Sequence, residues 1–456
     1  MKSNALLFKI LLINLTVFLL SSCRKSEDKP DYPAGSQENI NSWILDSMKV
    51  YYYWNTSLPA KPGFSQAPGS FFKEIKNGTD RFSALVNPDM PETYPPSLVH
   101  TFGFDWITLQ NSDGQVQTVI SLVVPGSRAE DTGLKRGDVI RTINGSIPVA
   151  GNIAALTTNS INGQVVVLEL EGKTGVTTVS RLINTEDPVY TYKVFQSGGK
   201  IFGYLFLNSF ENTALDKLRQ AFTYFKQKQV QELILDVRYN PGGSVPVAAT
   251  LAAMISPNAR EGDIFVEYRG NAKAGTRKSS FAVEMNRVGA GQWMSFATAS
   301  TYRLGLNRVY ILTGSHTASA AELLINALRP YIAVIQLGQQ TLGKDMASFV
   351  IKDYRSPQIV PKWEIYPMIF KLYNSAGKGD YSNGLIPDLS ADELSVLPLL
   401  AFGDLSDPLI QRCLPKPLSI AGGKKADAVQ DVPKIIYDSR AQVDLTTPGL
   451  TVARMY

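Results

Sequence analysis

Residues 309–344 read VYILTGSHTASAAELLINALRPYIAVIQLGQQTLGK. The stretch starts with a β-branched run that stops at a Thr-Gly turn, and a helical run, Ser319–Leu328, then ends at Arg-Pro. A second apolar run, Ile332–Leu337, leads into a glycine-containing turn that ends at Lys344. This order predicts a strand, a helix, a second strand and a loop. It puts the hydroxyl of Ser319 at the start of the helix and the amine of Lys344 on the loop.

Apolar runs and helical spacing also alternate on both sides of this stretch. Ile201–Leu207 is a strand-like run, and leucine and phenylalanine then recur at three- and four-residue spacing. Leu233–Val237 is a second buried run, followed by a turn that contains Gly242 and Gly243. Further strand-like runs are Phe349–Ile351 and Ile365–Tyr373. Strands that alternate with helices predict a mixed α/β core, which we assign to residues 186–395.

The composition excludes several classes of protein. The chain has 456 residues, of which 44% are hydrophobic and 19% charged, so it can form substantial cores. Its net charge is +5, and no cluster of lysine and arginine is interleaved with aromatic residues, so nucleic-acid binding is not expected. Two cysteines and two histidines are too few for a structural zinc site. We predict no metal and no other cofactor.

The N-terminus is typical of a targeting signal. Lysines accompany an apolar run, residues 10–20, that is too short to span a bilayer, and the segment ends in Leu-Ser-Ser-Cys23. This ending resembles a bacterial lipobox, which implies that residues 1–22 are removed and that Cys23 carries lipid. The alternative is an ordinary signal peptide with a chance cysteine. Arg24 stands where aspartate often signals inner-membrane retention, so we expect an outer-membrane anchor facing the periplasm or the cell surface.

Three further regions complete the predicted organisation. Residues 23–40 are rich in charged residues, proline, glycine and serine, and predict a flexible tether. Residues 41–100 predict a small helical region, in which Ser42 is a candidate cap for the first helix. Residues 396–456 are predicted as a C-terminal appendage, and one helix is expected near Asp392–Phe402.

Residues 101–185 predict a β-rich domain. Ser127 and Glu130 have the spacing of a capping box on a short helix, and Asn144-Gly145 is a strong hairpin turn. The Gly-Ser-x-Ala, Gly-Leu-x-x-Gly-Asp and Ile-Asn-Gly elements resemble a bacterial PDZ domain. That resemblance implies that a peptide adds at the sheet edge and that the loop Phe102-Gly103-Phe104 captures its C-terminal carboxylate. A β module without a ligand is the alternative.

The chemistry of Ser319 depends on a base. A serine hydroxyl is a weak nucleophile until a base accepts its proton. His100 lies in another region and His316 is only three residues before Ser319, so a Ser-His-Asp triad is not expected. A buried lysine is an alternative base, because loss of solvation favours its neutral form. Locally, Ser319 and Glu322 also form a capping box, and Lys344 alone is compatible with a surface lysine.

Four motifs in order resemble the carboxyl-terminal processing, or tail-specific, serine peptidases. They are the Ser319 segment with Lys344 25 positions later, the Asp236–Gly243 segment, the closing Gly384–Asp388 segment and the preceding PDZ-like domain. The resemblance implies a ClpP/crotonase-like protease core, with Ser319 as nucleophile and Lys344 as general base. It also implies an oxyanion hole built from backbone N–H groups of Gly242, Gly243 and Ala320. The family often has glutamine four residues after the lysine, where this chain has Ser348.

The sequence therefore predicts a lipid-anchored serine endopeptidase. Its partners would be proteins or peptides with exposed C-termini, and Ser348 or Glu322 is the possible helper of Lys344. One alternative is a peptide-binding lipoprotein with a decayed protease core, which the serine at position 348 favours. A second alternative is a non-peptidic acyl hydrolase, but the chain contains no Gly-x-Ser-x-Gly motif.

Overall fold

The fold was analysed in a computed structural model, which describes residues 32–182, 186–287, 294–355, 363–415 and 432–441. The predicted signal peptide, Cys23 and the first part of the predicted tether lie outside these ranges. Within the ranges, no helix combines the length and the apolar character that a membrane span requires.

The N-terminal region contains two helices and one short strand. They are α1 (Gln37–Tyr51), α2 (Pro68–Ile75) and β1 (Ala84–Val86). The cap of α1 is Ser36, whose hydroxyl accepts the Asn39 N–H at 3.2 Å, and not Ser42 as predicted. The helix therefore begins inside the segment predicted as a tether. Its apolar face is buried against the core of the molecule.

Residues 97–182 form a separate unit, which we call the β-rich module. Its elements are α3 (Leu98–Phe102), β2 (Phe104–Gln110), β3 (Val116–Val123), α4 (Arg128–Asp131), β4 (Val139–Ile143), α5 (Ile153–Asn162), β5 (Val165–Leu170) and β6 (Thr177–Ser180). The strands pair antiparallel in the order β2-β3-β4-β5-β6. Asn144 and Gly145 both have positive φ, 49° and 78°, which is the geometry of the tight hairpin turn predicted from their sequence.

The core alternates strands and helices. Its elements are β7 (Val189–Ser197), β8 (Lys200–Leu207), α6 (Ala214–Gln227), β9 (Glu232–Asp236), α7 (Val245–Ile255), β10 (Ile264–Arg269), β11 (Thr276–Ser280), α8 (Phe281–Met285), α9 (Phe296–Ser300), β12 (Arg308–Thr313), α10 (Ala320–Leu328), β13 (Ala333–Gly338), β14 (Met346–Ala347), β15 (Ile351–Lys352), β16 (Glu364–Tyr366), β17 (Phe370–Tyr373) and β18 (Leu389–Ser390). The predicted strand, helix and strand of residues 309–344 are thus β12, α10 and β13.

The central sheet has six strands in the order β18-β13-β12-β9-β8-β7. The pairs from β8 to β18 are parallel, and β7 pairs antiparallel with β8. Two smaller sheets, β11-β10-β17-β14 and β1-β16-β15, flank it. The predicted mixed α/β fold is confirmed. Because β9, β12 and β13 are parallel neighbours, the loops that follow them meet at one edge of the sheet, where α/β proteins place their ligands.

Both faces of the central sheet are covered. Alternate strand residues, such as Leu235 and Ile311, pack with α6, α7 and α10 in the largest apolar cluster. Their neighbours, such as Ile234 and Leu312, pack on the other face with a late helix, α11 (Pro408–Cys413), and with Leu122 of β3. Continuous burial on both faces explains why these strands read as unbroken apolar runs.

The C-terminal part differs from the prediction. The helix expected near Asp392–Phe402 is absent: this stretch contains only the single-turn 3-10 helix Glu393–Ser395. The predicted appendage, residues 396–456, is also more than a peripheral extension where it is described. Helix α11 buries Leu409 and Ile410 against the central sheet, and a final strand, β19 (Lys434–Asp438), pairs with β2 of the β-rich module.

Candidate active site

Ser319 lies between β12 and α10 in a strained conformation. It is the N-cap of α10 and has φ 60° and ψ −115°, a region that residues with a side chain rarely adopt. Such a conformation costs about 1–3 kcal/mol and persists only when the surrounding structure enforces it. The hydroxyl is buried and has no hydrogen-bond partner among the described residues. The Ser319 hydroxyl therefore lacks the hydrogen bond to a helix N–H that an ordinary N-cap serine accepts.

The turn before Ser319 is fixed by two neighbouring loops. The Thr317 hydroxyl donates to the carbonyl oxygen of Val237 at 2.8 Å, and the Ala318 N–H donates to that of Asn240 at 3.0 Å. From the other side, the Leu342 N–H donates to the carbonyl oxygen of Thr317 at 2.9 Å. The loops after β9 and β13 thus hold the turn at residues 317–319, which we call the nucleophile turn after its predicted role, between them. These contacts keep Ser319 in its strained conformation.

The first residue of the glycine pair after β9, Gly242, lies against Ser319. Gly242 and Gly243 have φ 111° and 134°, and a Cβ atom added at Gly242 would lie 2.5 Å from Cβ of Ser319. Only glycine allows this approach. However, the Gly242 N–H donates to Oδ1 of Asn240 at 2.8 Å, so the prediction that this N–H faces an oxyanion is not met here. Gly242 therefore allows the close approach of Ser319 but does not offer its own N–H to a ligand.

The other two predicted oxyanion donors are available. Ala320 is the first residue of α10, where the backbone N–H has no intrahelical acceptor. A Cβ atom at Gly242 would lie 2.9 Å from the Ala320 nitrogen, so this N–H faces the same space as the glycine pair. Neither Ala320 nor Gly243 donates its N–H to an acceptor in the part of the chain that the structure describes. The N–H groups of Ala320 and Gly243 are therefore the two predicted donors that are not engaged within the described residues.

Buried ion pairs stabilise the loop that carries the glycines. The Arg238 guanidinium contacts the carboxylates of Asp236 at 2.8 Å, Asp407 at 2.9 Å and Glu393 at 3.0 Å. Burial alone would raise the pKa of Glu393, but the guanidinium groups of Arg136 and Arg238 lower it to about 2. The Asp-x-Arg part of the sequence motif thus has a structural role at the end of β9.

Lys344 is buried beside the N-terminal region. Its side chain is only 1% exposed, and its amine lies 5.5 Å from the ring centroid of Phe82. The guanidinium of Arg81 donates to the carbonyl oxygen of Leu342 at 3.0 Å on the same loop. The surface-lysine alternative is therefore wrong. Phe82 and Arg81 were not predicted as site residues, because more than 250 positions separate them from the loop that they contact.

Glu322 connects the start of α10 to the lysine loop. Its buried carboxylate accepts hydrogen bonds from the backbone N–H groups of Ser319 and Lys344, both at 2.8 Å. It also accepts the Gly343 N–H at 2.7 Å and the Thr341 hydroxyl at 2.5 Å. Burial raises the pKa of Glu322 to about 7, although these hydrogen bonds act to lower it. One carboxylate thus fixes Ser319 and Lys344 relative to each other.

The second possible helper, Ser348, has a different environment. Its side chain is fully buried, and its hydroxyl has no hydrogen-bond partner in the described structure. It therefore does not hold the Lys344 amine through a hydrogen bond. Of the two predicted helpers, Glu322 has the contacts that position the lysine loop.

The predicted carboxylate-binding loop is largely occupied by its own contacts. Phe102 and Phe104 are buried in the core of the β-rich module. Gly103 has φ 85° and caps α3, and its N–H donates to the carbonyl oxygen of Val99 at 2.9 Å. The N–H of Gly103 is thus not free to receive a carboxylate in this conformation.

Neither histidine contacts the Ser319 hydroxyl. His100 lies in α3 of the β-rich module, and burial lowers its pKa. Nε2 of His316 lies 2.7 Å from Oδ2 of Asp438, and its ring stacks on Tyr239. The Ser319 hydroxyl makes no hydrogen bond with any described residue, so His316 and Asp438 do not form a triad with it.

Comparisons with known proteins agree with this architecture. The model of Peptidase family S41 matches residues 201–391, and that of the Peptidase S41 N-terminal domain matches residues 39–84. The carboxy-terminal processing protease CtpA of Bacillus subtilis is 23% identical over 411 residues, covering 88% of this chain and 80% of that protein. The chloroplastic carboxyl-terminal-processing peptidase 1 of Arabidopsis thaliana is 23% identical over 279 residues, covering 59% of this chain and 53% of that protein.

A solved structure shares the fold. The crystal structure assigned to an S41 protease of Bacteroides fragilis has a TM-score of 0.65 and 27% identity to this chain. The similarity covers 86% of this chain and 98% of that one. Together, the family models, the relatives and this structure support assignment of the chain to peptidase family S41.

Proposed function

We propose that this chain, as a member of peptidase family S41, is a serine endopeptidase that uses Ser319 as nucleophile and Lys344 as general base. The observation that carries the proposal is the buried, unpartnered hydroxyl of Ser319 in a strained conformation, in contact with Gly242. A structural serine at a helix start would use its hydroxyl as a cap. The Ser319 hydroxyl instead makes no hydrogen bond among the described residues, and its backbone is strained, a combination that a catalytic role would explain.

The mechanism follows from the arrangement of the loops. The neutral amine of Lys344 accepts the proton of Ser319 as Oγ attacks the peptide carbonyl carbon. The oxygen of the tetrahedral intermediate accepts hydrogen bonds from the N–H groups of Ala320 and Gly243. Collapse breaks the C–N bond, and the Lys344 ammonium donates its proton to the departing amine. Lys344 then accepts a proton from the water that attacks the acyl carbon. As the ester C–O bond breaks, Lys344 returns this proton to Oγ, which restores the Ser319 hydroxyl and the neutral amine.

The fixed N–H groups supply part of the rate acceleration. Each preorganised oxyanion donor is worth roughly 3–4 kcal/mol in comparable sites. Such donors are effective because burial lowers the local dielectric and because they need no reorganisation during the reaction. Glu322 contributes by holding the N–H of Ser319 and the Lys344 backbone in place.

Substrate capture and location are further parts of the proposal. The β-rich module would bind exposed C-terminal or unstructured protein segments by strand addition, as its resemblance to PDZ domains implies. Cys23 would anchor the protein by lipid in the bacterial cell envelope, at the outer membrane. The lipobox-like ending of the apolar segment before Cys23 supports this assignment.

Turnover of an unstructured protein tests the proposed chemistry. Ser319→Ala and Lys344→Ala should each abolish cleavage of a reduced, unfolded protein, measured by gel and by mass spectrometry of the products. Lys352→Ala is the matched control, because Lys352 is half exposed and pairs with Glu364 away from Ser319. Cleavage retained by both site variants would overturn the mechanism.

A decayed, peptide-binding lipoprotein is the second candidate. The serine at position 348, which makes no hydrogen bond to Lys344, favours it. This candidate predicts that the wild-type chain binds peptides without cleaving them. Product formation that depends on Ser319 would exclude it.

A further inference from the structure

Strand β19 covers the outer edge of β2 in the β-rich module. The strands pair antiparallel, with Lys434 opposite Gln110, Tyr437 opposite Thr108 and Asp438 opposite Ile107. Without β19, β2 would be the edge strand of the module, because β3 is its only other neighbour among the strands of the described ranges. An exposed edge strand offers unpaired N–H and C=O groups to an extended peptide. Strand β19 therefore pairs with the edge N–H and C=O groups of β2 that such a peptide would need.

The direction of β19 matches that of a peptide read from its C-terminal end. The strand runs from the far end of β2 toward the loop Phe102-Gly103-Phe104. Beyond the strand, the Ser439 N–H donates to the carbonyl oxygen of Trp106 at 3.1 Å, and the Trp106 N–H donates to the Ser439 hydroxyl at 3.1 Å. The segment then leaves β2 at Arg440, before it reaches the loop.

A side chain of β19 also occupies the module. Tyr437 packs against the apolar core of the module and lies beside Thr157 of α5. The indole N–H of Trp106 in β2 donates to the same Thr157 hydroxyl at 3.1 Å. Tyr437 thus marks the place that an aromatic or large apolar side chain of an added peptide would occupy, between β2 and α5.

Strand β19 is weakly held compared with a core strand. It has five residues, and its register with β2 shifts between Ile435 and Tyr437. Ile435 remains 37% exposed. Short, bulged edge strands with little burial open at a small fraction of the global unfolding free energy. Displacement of β19 would leave the pairs from β2 to β6 of the module in place.

The same segment contacts the loops around Ser319. The Asp438 carboxylate pairs with His316, which is three residues before Ser319. The guanidinium of Arg440 pairs with Asp105 of β2 at 3.5 Å and lies 5.9 Å from the ring of Tyr239, next to Asn240. Displacement of β19 would remove these contacts from the nucleophile turn and from the loop of the glycine pair.

We propose that β19 is an internal ligand of the β-rich module, and that an extended substrate segment must displace it to bind β2. The favoured substrate segment would carry an aromatic or large apolar side chain at the position of Tyr437. This inference rests on the proposed function, in which the module captures the substrate. A tethered ligand has an effective concentration near the millimolar range, so it suppresses weak peptides and admits those that bind well.

A reversible lock tests the proposal in the full chain. Gln110 and Lys434 are opposite each other at the exposed end of the pair, so Gln110→Cys with Lys434→Cys places two thiols within disulfide reach. In a Ser319→Ala background, we would measure fluorescence anisotropy of a labelled peptide with the sequence of residues 433–439. The oxidised protein should bind at least about 10-fold more weakly than the same protein after reduction. Equal binding in the two states would overturn the proposal.

A second variant opens the edge instead of closing it. Tyr437→Ser removes the packing of β19 and should raise affinity for the labelled peptide by about 10-fold or more, because the internal competitor is weakened. Lys434→Ala is the control, since Lys434 is exposed and lies outside the apolar core of the module. Unchanged affinity in Tyr437→Ser, with hydrogen exchange showing that β19 is released, would also overturn the proposal.

The two proposals can fail separately. Peptide binding is measured without Ser319, so it is independent of catalysis. Lock-dependent binding together with no cleavage by the wild-type chain would refute the protease and leave the internal ligand standing. Cleavage by the wild-type chain together with lock-independent binding would refute the internal ligand alone.

Discussion

Two helices of this protein begin with nearly the same four residues. Helix α4 follows Ser127 in Ser-Arg-Ala-Glu, and α10 follows Ser319 in Ser-Ala-Ala-Glu. Ser127 is extended, with φ −86° and ψ 164°, and its hydroxyl accepts the Glu130 N–H at 3.3 Å. Ser319 has φ 60°, and its hydroxyl makes no hydrogen bond within the described structure. One serine is a cap, and the other is strained and unbonded, as expected of the proposed nucleophile.

The glutamates of the two segments differ in the same way. Glu130 is exposed and accepts the Gly126 N–H at 2.7 Å. Glu322 is fully buried and accepts hydrogen bonds from Ser319, Thr341, Gly343 and Lys344. The local sequence is therefore common to both sites, and the neighbouring loops decide what it becomes. The loops after β9 and β13 hold the turn at Ser319, whereas the Ser127 hydroxyl accepts from its own helix and donates to the carbonyl oxygen of Gly103.

Replacement of the glycine beside each serine by alanine should give the largest difference between the two sites, measured as cleavage activity. Gly242→Ala should lower kcat/KM for peptide cleavage at least about 100-fold, because its Cβ would displace Ser319 and small misplacements of reacting groups are costly. Gly126 precedes Ser127 and has open space around it, so Gly126→Ala should cost about 1 kcal/mol of backbone strain and leave cleavage unchanged. Steady-state kinetics and urea unfolding would measure both. Equal losses of activity in the two variants would contradict the account.

Replacement of the two glutamates by glutamine should give the next largest difference, in the free energy of unfolding. Glu322→Gln should lower the free energy of unfolding at pH 7 by about 2–4 kcal/mol, since its amide nitrogen would face two buried N–H donors. Glu130→Gln should change it by less than about 0.5 kcal/mol, as expected of an exposed position. Urea titration of both variants checks this. A Glu322→Gln chain as stable as wild type would show that the carboxylate does not hold the two loops together.

The pH dependence of stability separates the glutamates further. Burial raises the pKa of Glu322 from 4.5 to about 7, so the native state binds an extra proton between these values. The protonated carboxyl therefore stabilises the native state, and this stabilisation is fully present below pH 4.5. It amounts to about 3 kcal/mol and is lost as the pH rises through about 7. The free energy of unfolding of wild type relative to Glu322→Gln should therefore fall across this window. A difference that stays constant with pH would mean that Glu322 does not titrate there.

The serines themselves give the smallest effect on stability. Ser127→Ala should cost about 1 kcal/mol, the usual value of a lost N-cap. Ser319→Ala should leave stability unchanged or slightly higher, because it removes a buried hydroxyl that has no partner in the described residues. Thermal unfolding at one pH compares the two. A larger loss in Ser319→Ala than in Ser127→Ala would indicate that Ser319 is a cap after all.

The comparison also shows how far the sequence could predict the site. The order of β12, α10 and β13 follows from apolar periodicity, and parallel neighbours bring the three loops to one edge. The positive φ of Ser319 could not be predicted, since Ser127 has the same local pattern. The contact of Phe82 with Lys344 and the pairing of β19 with β2 join distant parts of the chain, for which periodicity gives no signal. The engagement of the Gly242 N–H by Asn240 is different, because it joins residues two positions apart in one turn.

Labelling with a fluorophosphonate probe, followed by peptide mass spectrometry, tests most directly whether Ser319 is an activated nucleophile. The wild-type chain should carry the label on Ser319 and on no other serine, with Ser127 as the internal comparison. Lys344→Ala should label at least about 100-fold more slowly, as expected when a nucleophile loses its base. A wild-type chain that remains unlabelled at Ser319, or one that labels equally fast without Lys344, would contradict the account.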